Sequence, residues 1–327
     1  MKETVKVAVI QDSSIPFDAT ATTKKACNLI REAAENGAEL ALFPEAFVGT
    51  YPKGLNFDAP VGKRLPEGRE DFLRYFNNAV EIDGTEVAQL VDIARECGIF
   101  VVIGVIERDG FTLYCTALYI DPQKGLVGKH RKVMPSGSER LIWGFGDGST
   151  LEAVSSNLGK LGAVICWENY MPAVRLAMYD QNVEIYLVPT ADDRDTWLPT
   201  MRHIAVEGRC YVLSACQYIQ LKDFGPDYRS VLSDDPEAVV MRGGSTIISP
   251  LGEVIEAPVF NERTILYATL DNASLIRSKF DFDPVGHYSR ADLFSLHMDV
   301  SVKEVVTKAP SDPASQTSGT NIYREDA

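Results

Sequence analysis

Long apolar runs are missing from this chain. None of its 327 residues falls in a stretch approaching the roughly 20 consecutive apolar residues that span a bilayer. Met1–Lys6 leads straight into a strand-like Val5–Ile10 with no secretion-signal core, so a cytoplasmic location away from membranes is the expectation. Positive charge is also scarce. With 32 Lys and Arg against 46 Asp and Glu the formal net charge is −14, which argues against binding a nucleic-acid backbone, since that needs a basic face. The four histidines (His130, His203, His287, His297) show no ligand-type grouping with cysteine or acid, so no metal is expected. Six cysteines (Cys27, Cys97, Cys115, Cys166, Cys210, Cys216) include no C-x-x-C pair and read as free thiols of a reducing compartment. Nucleotide-binding glycine loops are lacking as well. Gly144-Phe145-Gly146-Asp147-Gly148 misses the third glycine and opens no helix, and Gly125-Leu126-Val127-Gly128-Lys129 is not a phosphate loop.

What is present is a globular composition, 45% hydrophobic, long enough for one large domain or two ordinary ones. Strand-like Val5–Ile10 precedes a helix whose apolar face is Ala26, Leu29, Ile30 and Ala33 and which ends at Gly37. A strand over Glu39–Phe43 follows, then a Gly-, Pro- and aromatic-rich excursion over 48–80, of the kind that usually carries function. Val87, Leu90, Val91 and Ala94 mark a helix stopping at Gly98, ahead of the nearly all-apolar Ile99–Ile106. Turns at Arg108-Asp109-Gly110 and Asp121–Gly125 place strands at Thr112–Ile120 and Leu126–Val127, and Asn157–Lys160 marks a further hairpin. A second helix–strand series follows, with helices near 171–181 and 196–208 and strands at Val183–Val188 and Cys210–Cys216. Residues 218–242 read as a surface insertion, and Gly244–Ser249, Glu253–Ile255 and Ile265–Asp271 as closing strands. Beyond 302 the Ser/Thr/Pro/Asp-rich composition predicts a disordered tail, leaving 1–301 as the domain. Two helix–strand pairs early and two late predict a pseudo-symmetric layered α/β domain.

Three segments carry reactive side chains. Leu161–Cys166 is an apolar strand that gives out before Pro172 opens a helix, so Cys166 lies at a strand-to-helix junction. Helix N–H groups there can lower a thiol pKa, although a buried core cysteine is the plainer alternative. In Phe43-Pro44-Glu45-Ala46-Phe47 a carboxylate just past an apolar strand is poorly solvated, which suits a general base. Lys129-His130-Arg131-Lys132 is a basic cluster in apolar surroundings within an acidic protein, where a lysine could stabilise developing negative charge.

Together with Glu139-Arg140-Leu141-Ile142-Trp143, Cys166-Trp167-Glu168-Asn169, His203–Cys210, Val212–Gln217, Gly243-Gly244-Ser245 and Gly286–Arg290, these segments resemble the nitrilase branch of the carbon–nitrogen hydrolase superfamily over roughly residues 5–300. The resemblance implies a four-layer αββα sandwich with two central mixed sheets. It also implies a Glu45–Lys132–Cys166 triad with Glu139 as a supporting acid, no cofactor, and a small-molecule nitrile as substrate. Tyr51, Trp143, Trp167, Thr190 and Trp197 are the candidate substrate-binding residues, core packing being an equal alternative for Trp197. Phe145 and Ala291 stand where such enzymes often have Gln and Pro. Glu168 could serve as a buried ion-pair partner, and His130 as a backbone hydrogen-bonding group. The resemblance further implies homodimers, paired through the helices near 171–181 and 196–208, that build larger spiral assemblies. Met171, Val174, Met178, Met201 and Ile204 suggest more apolar surface there than one core face requires. An amidase or carbamoylase with the same triad, and a non-catalytic thiol redox-sensing or interaction protein, are the alternative functions.

Overall fold

The period-two alternation in the strands decides the architecture. In a computed structural model describing residues 1–306, Val5, Val7 and Val9 enter a core shared by two sheets, while Ala8 and Ile10 enter a separate core beneath helices. The elements of the first half are β1 (Thr4–Gln11), α1 (Ala19–Glu35), β2 (Leu40–Leu42), α2 (Pro66–Asn77), α3 (Thr85–Cys97), β3 (Phe100–Asp109), β4 (Thr112–Asp121) and β5 (Gly125–Arg131). Those of the second half are β6 (Val154–Ser155), β7 (Lys160–Ala163), α4 (Pro172–Asp180), β8 (Ile185–Thr190), α5 (Trp197–Gly208), β9 (Tyr211–Cys216), β10 (Tyr218–Gln220), β11 (Val239–Arg242), β12 (Thr246–Ile248), β13 (Val254–Glu256), β14 (Thr264–Asp271) and α6 (Asn272–Ser278).

The strands form two mixed six-stranded sheets, ordered β14-β1-β2-β3-β4-β5 and β13-β12-β9-β8-β7-β6. Ile185, Leu187, Leu213 and Ala215 face the first sheet, while Tyr186, Val188 and Val212 pack beneath α4 and α5. Helices α1 and α3 cover the outer face of the first sheet. The result is the expected αββα sandwich. β2, β5 and β7 end close before Glu45, Lys132 and Cys166, so three strand ends from two sheets deliver the three reactive residues.

Several boundaries differ from the sequence reading. The excursion over 48–80 contains α2, whose polar run Pro66–Arg69 hides the packing residues Phe72, Tyr75 and Phe76. β5 runs to Arg131 rather than stopping at Val127, and its pairing with β4 carries Lys132 into the interior. Residues 218–242 include the small β10–β11 ribbon, and α6 follows β14 with the Asp271 carboxylate capping Ala273 N and Ser274 N. Of the expected tail, residues 302–306 form no helix or strand, and 307–327 lie outside the described residues. The apolar surplus assigned to α4 and α5 is corrected: Val174, Met178, Met201 and Ile204 are buried against the second sheet, so the sandwich itself consumes them. No helix among the described residues is long and apolar enough to cross a membrane. All six cysteines are unpaired.

Candidate active site

Glu45 is placed by backbone contact. Past β2 the chain turns through Ala46, which has φ 49°, and runs over Gly104 of β3. A Cβ on Gly104 would lie 2.3 Å from Pro44 O and 2.8 Å from Glu45 Cα, so any side chain there would push the Glu45 loop out of position. Gln217 Nε2 donates to Glu45 O at 3.0 Å, tying the loop to the end of β9.

The Glu45 carboxylate is wholly buried, and its Oε1 accepts from Lys132 Nζ at 2.6 Å and from Cys115 Sγ at 3.5 Å. Its Oε2 is buried without a hydrogen-bond partner among the described residues, and the Cys166 thiol adjoins the same carboxyl. Burial pushes the Glu45 pKa up and the Glu139 carboxylate adds to this, against the pull of the Lys132 ammonium. Lys132 Nζ also donates to Glu139 Oε2 at 2.8 Å. Burial alone would discharge this lysine, but Glu45, Cys166 and Glu139 around it hold its pKa well above the ordinary value. Glu139 is in turn fixed by Ser136 N at 2.6 Å and by the Tyr51 hydroxyl at 2.7 Å. One ammonium is thus shared between two carboxylates that are themselves locked, the preorganisation that charge stabilisation requires.

Cys166 opens the single-turn 3-10 helix Cys166–Tyr170, ahead of α4 rather than at its N-terminus. Its φ is 51°, a left-handed conformation uncommon for a non-glycine residue and held here by its surroundings. Asn169 Nδ2 donates to Val164 O at 2.9 Å and to Cys166 O at 2.8 Å, and Arg175 Nη1 donates to Asn169 O at 2.8 Å. Thr190 Oγ1 donates to Cys166 Sγ at 3.3 Å while accepting from Asp192 N at 3.0 Å. The expectation of a thiol acidified by a helix N-terminus is overturned. Burial first, and then the Glu45 carboxylate, push the Cys166 pKa above the ordinary thiol value; Lys132 and Thr190 oppose this without reversing it. Cys166 therefore rests as a thiol, with the Glu45 carboxyl beside it.

Glu168 lies outside this group and aligns it. Its carboxylate is wholly buried and accepts from Ile165 N at 2.8 Å, from Val133 N, and from His130 Nε2 at 3.0 Å. The neighbours of Cys166 and of Lys132 are thereby registered on a single side chain. His130 Nδ1 is 3.1 Å from Thr150 O. Burial works to discharge His130, but Glu168 and the Thr150 carbonyl hold its pKa above the ordinary 6.5. The sign follows: the pair's contribution to stability is complete below that ordinary value and is lost as pH rises through the higher folded-state value. Urea midpoints of the wild type should therefore fall as pH climbs above that ordinary value. Glu168→Gln should cost about 3–5 kcal/mol, as breaking a buried pair does, and flatten that slope. An unchanged slope in the variant would contradict the pairing.

A cavity of about 300 Å³ opens over Cys166 and is bounded by Tyr51, Lys53, Glu139, Trp167, Asp192 and Arg194. Trp167 is 43% exposed; its Nε1 donates to Asp192 Oδ2 at 2.8 Å, and the Arg194 guanidinium lies 4.8 Å from its ring centroid. Of the candidate pocket residues, Tyr51 and Trp167 border this cavity and Thr190 touches the sulfur. Trp143 stands behind, its Nε1 donating to Tyr75 Oη at 3.0 Å and its ring 5.3 Å from Lys132 Nζ. Trp197 belongs to the core under α5, with Nε1 donating to Ser214 Oγ at 2.9 Å. Phe145 and Ala291 are exposed and border no part of it. Sequence reasoning missed Lys53 and Asp192–Arg194. The available signal was that Thr190–Arg194 leaves the end of β8, the strand paired with β7.

Comparisons with known proteins identify the family. The family described as carbon–nitrogen hydrolase matches residues 6–280. An aliphatic nitrilase of Sinorhizobium fredii is 56% identical over 93% of this chain and 99% of its own length. The bifunctional nitrilase/nitrile hydratase NIT4B of Nicotiana tabacum is 47% identical over 95% of this chain and 92% of its own. Among solved structures, a carbon–nitrogen hydrolase from Helicobacter pylori G27 shares the fold, with a TM-score of 0.71 at 18% identity over 88% of this chain and 96% of that one. With a carboxylate, a lysine and a cysteine converging at three strand ends of a four-layer sandwich, and with relatives of this identity along almost its whole length, the chain belongs to the carbon–nitrogen hydrolase family, on its nitrilase branch.

Proposed function

We propose that the protein hydrolyses a small organic nitrile to the carboxylic acid and ammonia, with Cys166 as nucleophile, Glu45 as base, Lys132 as the cation facing the nitrogen, and Glu139 as the carboxylate that holds Lys132. The observation that carries this reading is the Lys132 ammonium bridging Glu45 and Glu139 at the edge of the Cys166 cavity. Glu45 takes the thiol proton as sulfur attacks the nitrile carbon; the C≡N bond becomes C=N and the nitrogen gains that proton, giving a thioimidate. The negative charge building on nitrogen during attack faces Lys132. Water, deprotonated by Glu45, adds to the thioimidate carbon. The protonated nitrogen then leaves as ammonia, and the remaining thioester is cleaved by a second water to acid and free thiol.

The first tetrahedral intermediate could instead expel the sulfur and release amide, and two barriers differing by about 1.4 kcal/mol give a tenfold product ratio. Lys132 and Glu139 keep a proton at the nitrogen, so acid is the main product. Incubation with a simple aliphatic nitrile, and separately with the matching amide, tests the function through ammonia release and chromatography. Acid and ammonia from the nitrile support it; turnover of the amide alone removes it.

Assembly into homodimers and larger spirals through the outer faces of α4 and α5 belongs to the same proposal, supported by the exposed Leu176 and Val206 on those helices. A monomeric mass by light scattering would remove that part.

A further inference from the structure

A second cavity of about 340 Å³ adjoins the first, sharing Tyr51, Lys53, Ser136 and Glu139 with it. Its character is different. Away from Lys53 and Glu139 at the junction no charged side chain among the described residues lines it, and its walls include Leu55, Phe57, Ile142, Trp143, Val231 and Leu232. Val231 and Leu232 come from the 218–242 insertion, far along the chain from the rest.

That insertion is fastened over the cavity by contacts to the backbone. Val231 N donates to Gly54 O at 2.9 Å, and Tyr228 Oη donates to Lys53 O at 2.9 Å. Arg229 joins Asp58 and Asp71. Gly54 has φ 86°, and a Cβ there would lie 2.6 Å from Ser230 Oγ and 2.9 Å from Leu232 Cγ, so only glycine lets the two loops meet. Val231 and Leu232 are nonetheless 64% and 55% exposed. Two large apolar side chains left open at a site by a loop this firmly held are an incomplete contact, and an apolar ligand group would complete it.

We propose that Val231 and Leu232 form the far wall of a subsite for the substrate's tail, so that the enzyme selects nitriles whose cyano group is followed by an extended apolar chain. This rests on the nitrilase reading and adds the tail to it. With its nitrile carbon at Cys166, the substrate passes Tyr51 and the Tyr51–Glu139 hydrogen bond, and its hydrocarbon enters the second cavity. A charged tail is disfavoured there, because the cavity past the junction offers it no opposite charge.

The test compares kcat/KM for hexanenitrile and propionitrile in the wild type, Leu232→Ala and Leu232→Glu, with ammonia as the readout. The wild type should prefer hexanenitrile. The hexanenitrile-to-propionitrile ratio should fall about tenfold in Leu232→Ala, the size of effect that a few missing apolar contacts produce, and further in Leu232→Glu, where a carboxylate borders the tail. A purely structural role for Leu232 would lower both substrates together, and a ratio held within about twofold in both variants would overturn the subsite. Failure of the underlying function looks different: neither nitrile would be turned over by the wild type, and the subsite would fall with it.

Discussion

Cys166→Ala should remove nitrile turnover, by roughly ten-thousand-fold or more, because a residue acting as part of a unit takes the whole covalent route with it. The fold should survive. The sulfur accepts a hydrogen bond from Thr190 and adjoins the Glu45 carboxyl, neither of which holds the backbone, and the left-handed turn at 166 is held by Asn169 and Arg175 through backbone carbonyls that alanine keeps. Denaturant midpoints within the ordinary range of single substitutions, roughly 1 kcal/mol, would show this. Cys210→Ala is the control. Cys210 is also buried, with a pKa pushed up to about 12, yet it packs in the layer beneath α4 and α5, away from the Cys166 cavity. If burial alone made a cysteine functional, the two variants would behave alike. Mass spectrometry of the wild type mixed with a nitrile should also find the acyl adduct on the peptide carrying Cys166. Full activity in Cys166→Ala, or an equal loss in Cys210→Ala, would end the assignment.

The strands were legible because alternation and apolar runs are local properties, and β1, β3, β8 and β9 lie where those patterns place them. The reactive strand ends were legible too, since the motifs around Glu45, Lys132 and Cys166 stand next to clear strands. What joins those ends was not. Glu168 is one residue from a tryptophan and two from Cys166, but nothing local shows that its carboxylate crosses to Val133 N and His130 from another part of the chain. The direction of the Cys166 shift failed for the same reason. Sequence shows the chain leaving β7 but not how completely the packing around it buries the thiol, nor the two carboxylates that β2 and the loop after β5 bring up to it. Helix α2 was hidden by composition: its polar first turns outweigh three aromatic residues whose partners, such as Trp143 for Tyr75, are remote in sequence.

Lys132→Arg should cost about a hundred- to a thousand-fold in kcat, the loss that follows when one preorganised donor is removed, although the positive charge is kept. The reason is geometric. Nζ is a single point held 2.6 Å from Glu45 Oε1 and 2.8 Å from Glu139 Oε2, on a side chain buried to 1% exposure. A planar guanidinium is larger, presents its N–H groups as a fork, and does not give up a proton, so it can satisfy the two carboxylates only by displacing one of them or by filling the space over the sulfur. KM should change little, because the charge on nitrogen that Lys132 meets develops only as the thiol attacks. Lys132→Met is the informative companion. It leaves Glu45 and Glu139 facing each other with no cation between them, and like charges this close drive one carboxyl to hold a proton. Glu45 would then be protonated at neutral pH and unable to accept the thiol proton, so activity should fall at least as far as in the arginine variant. The rate of the methionine variant should also rise at higher pH, where that carboxyl ionises. An arginine variant within a few-fold of wild type would show that charge alone suffices at this position, and would remove proton delivery to the leaving nitrogen from the role of Lys132.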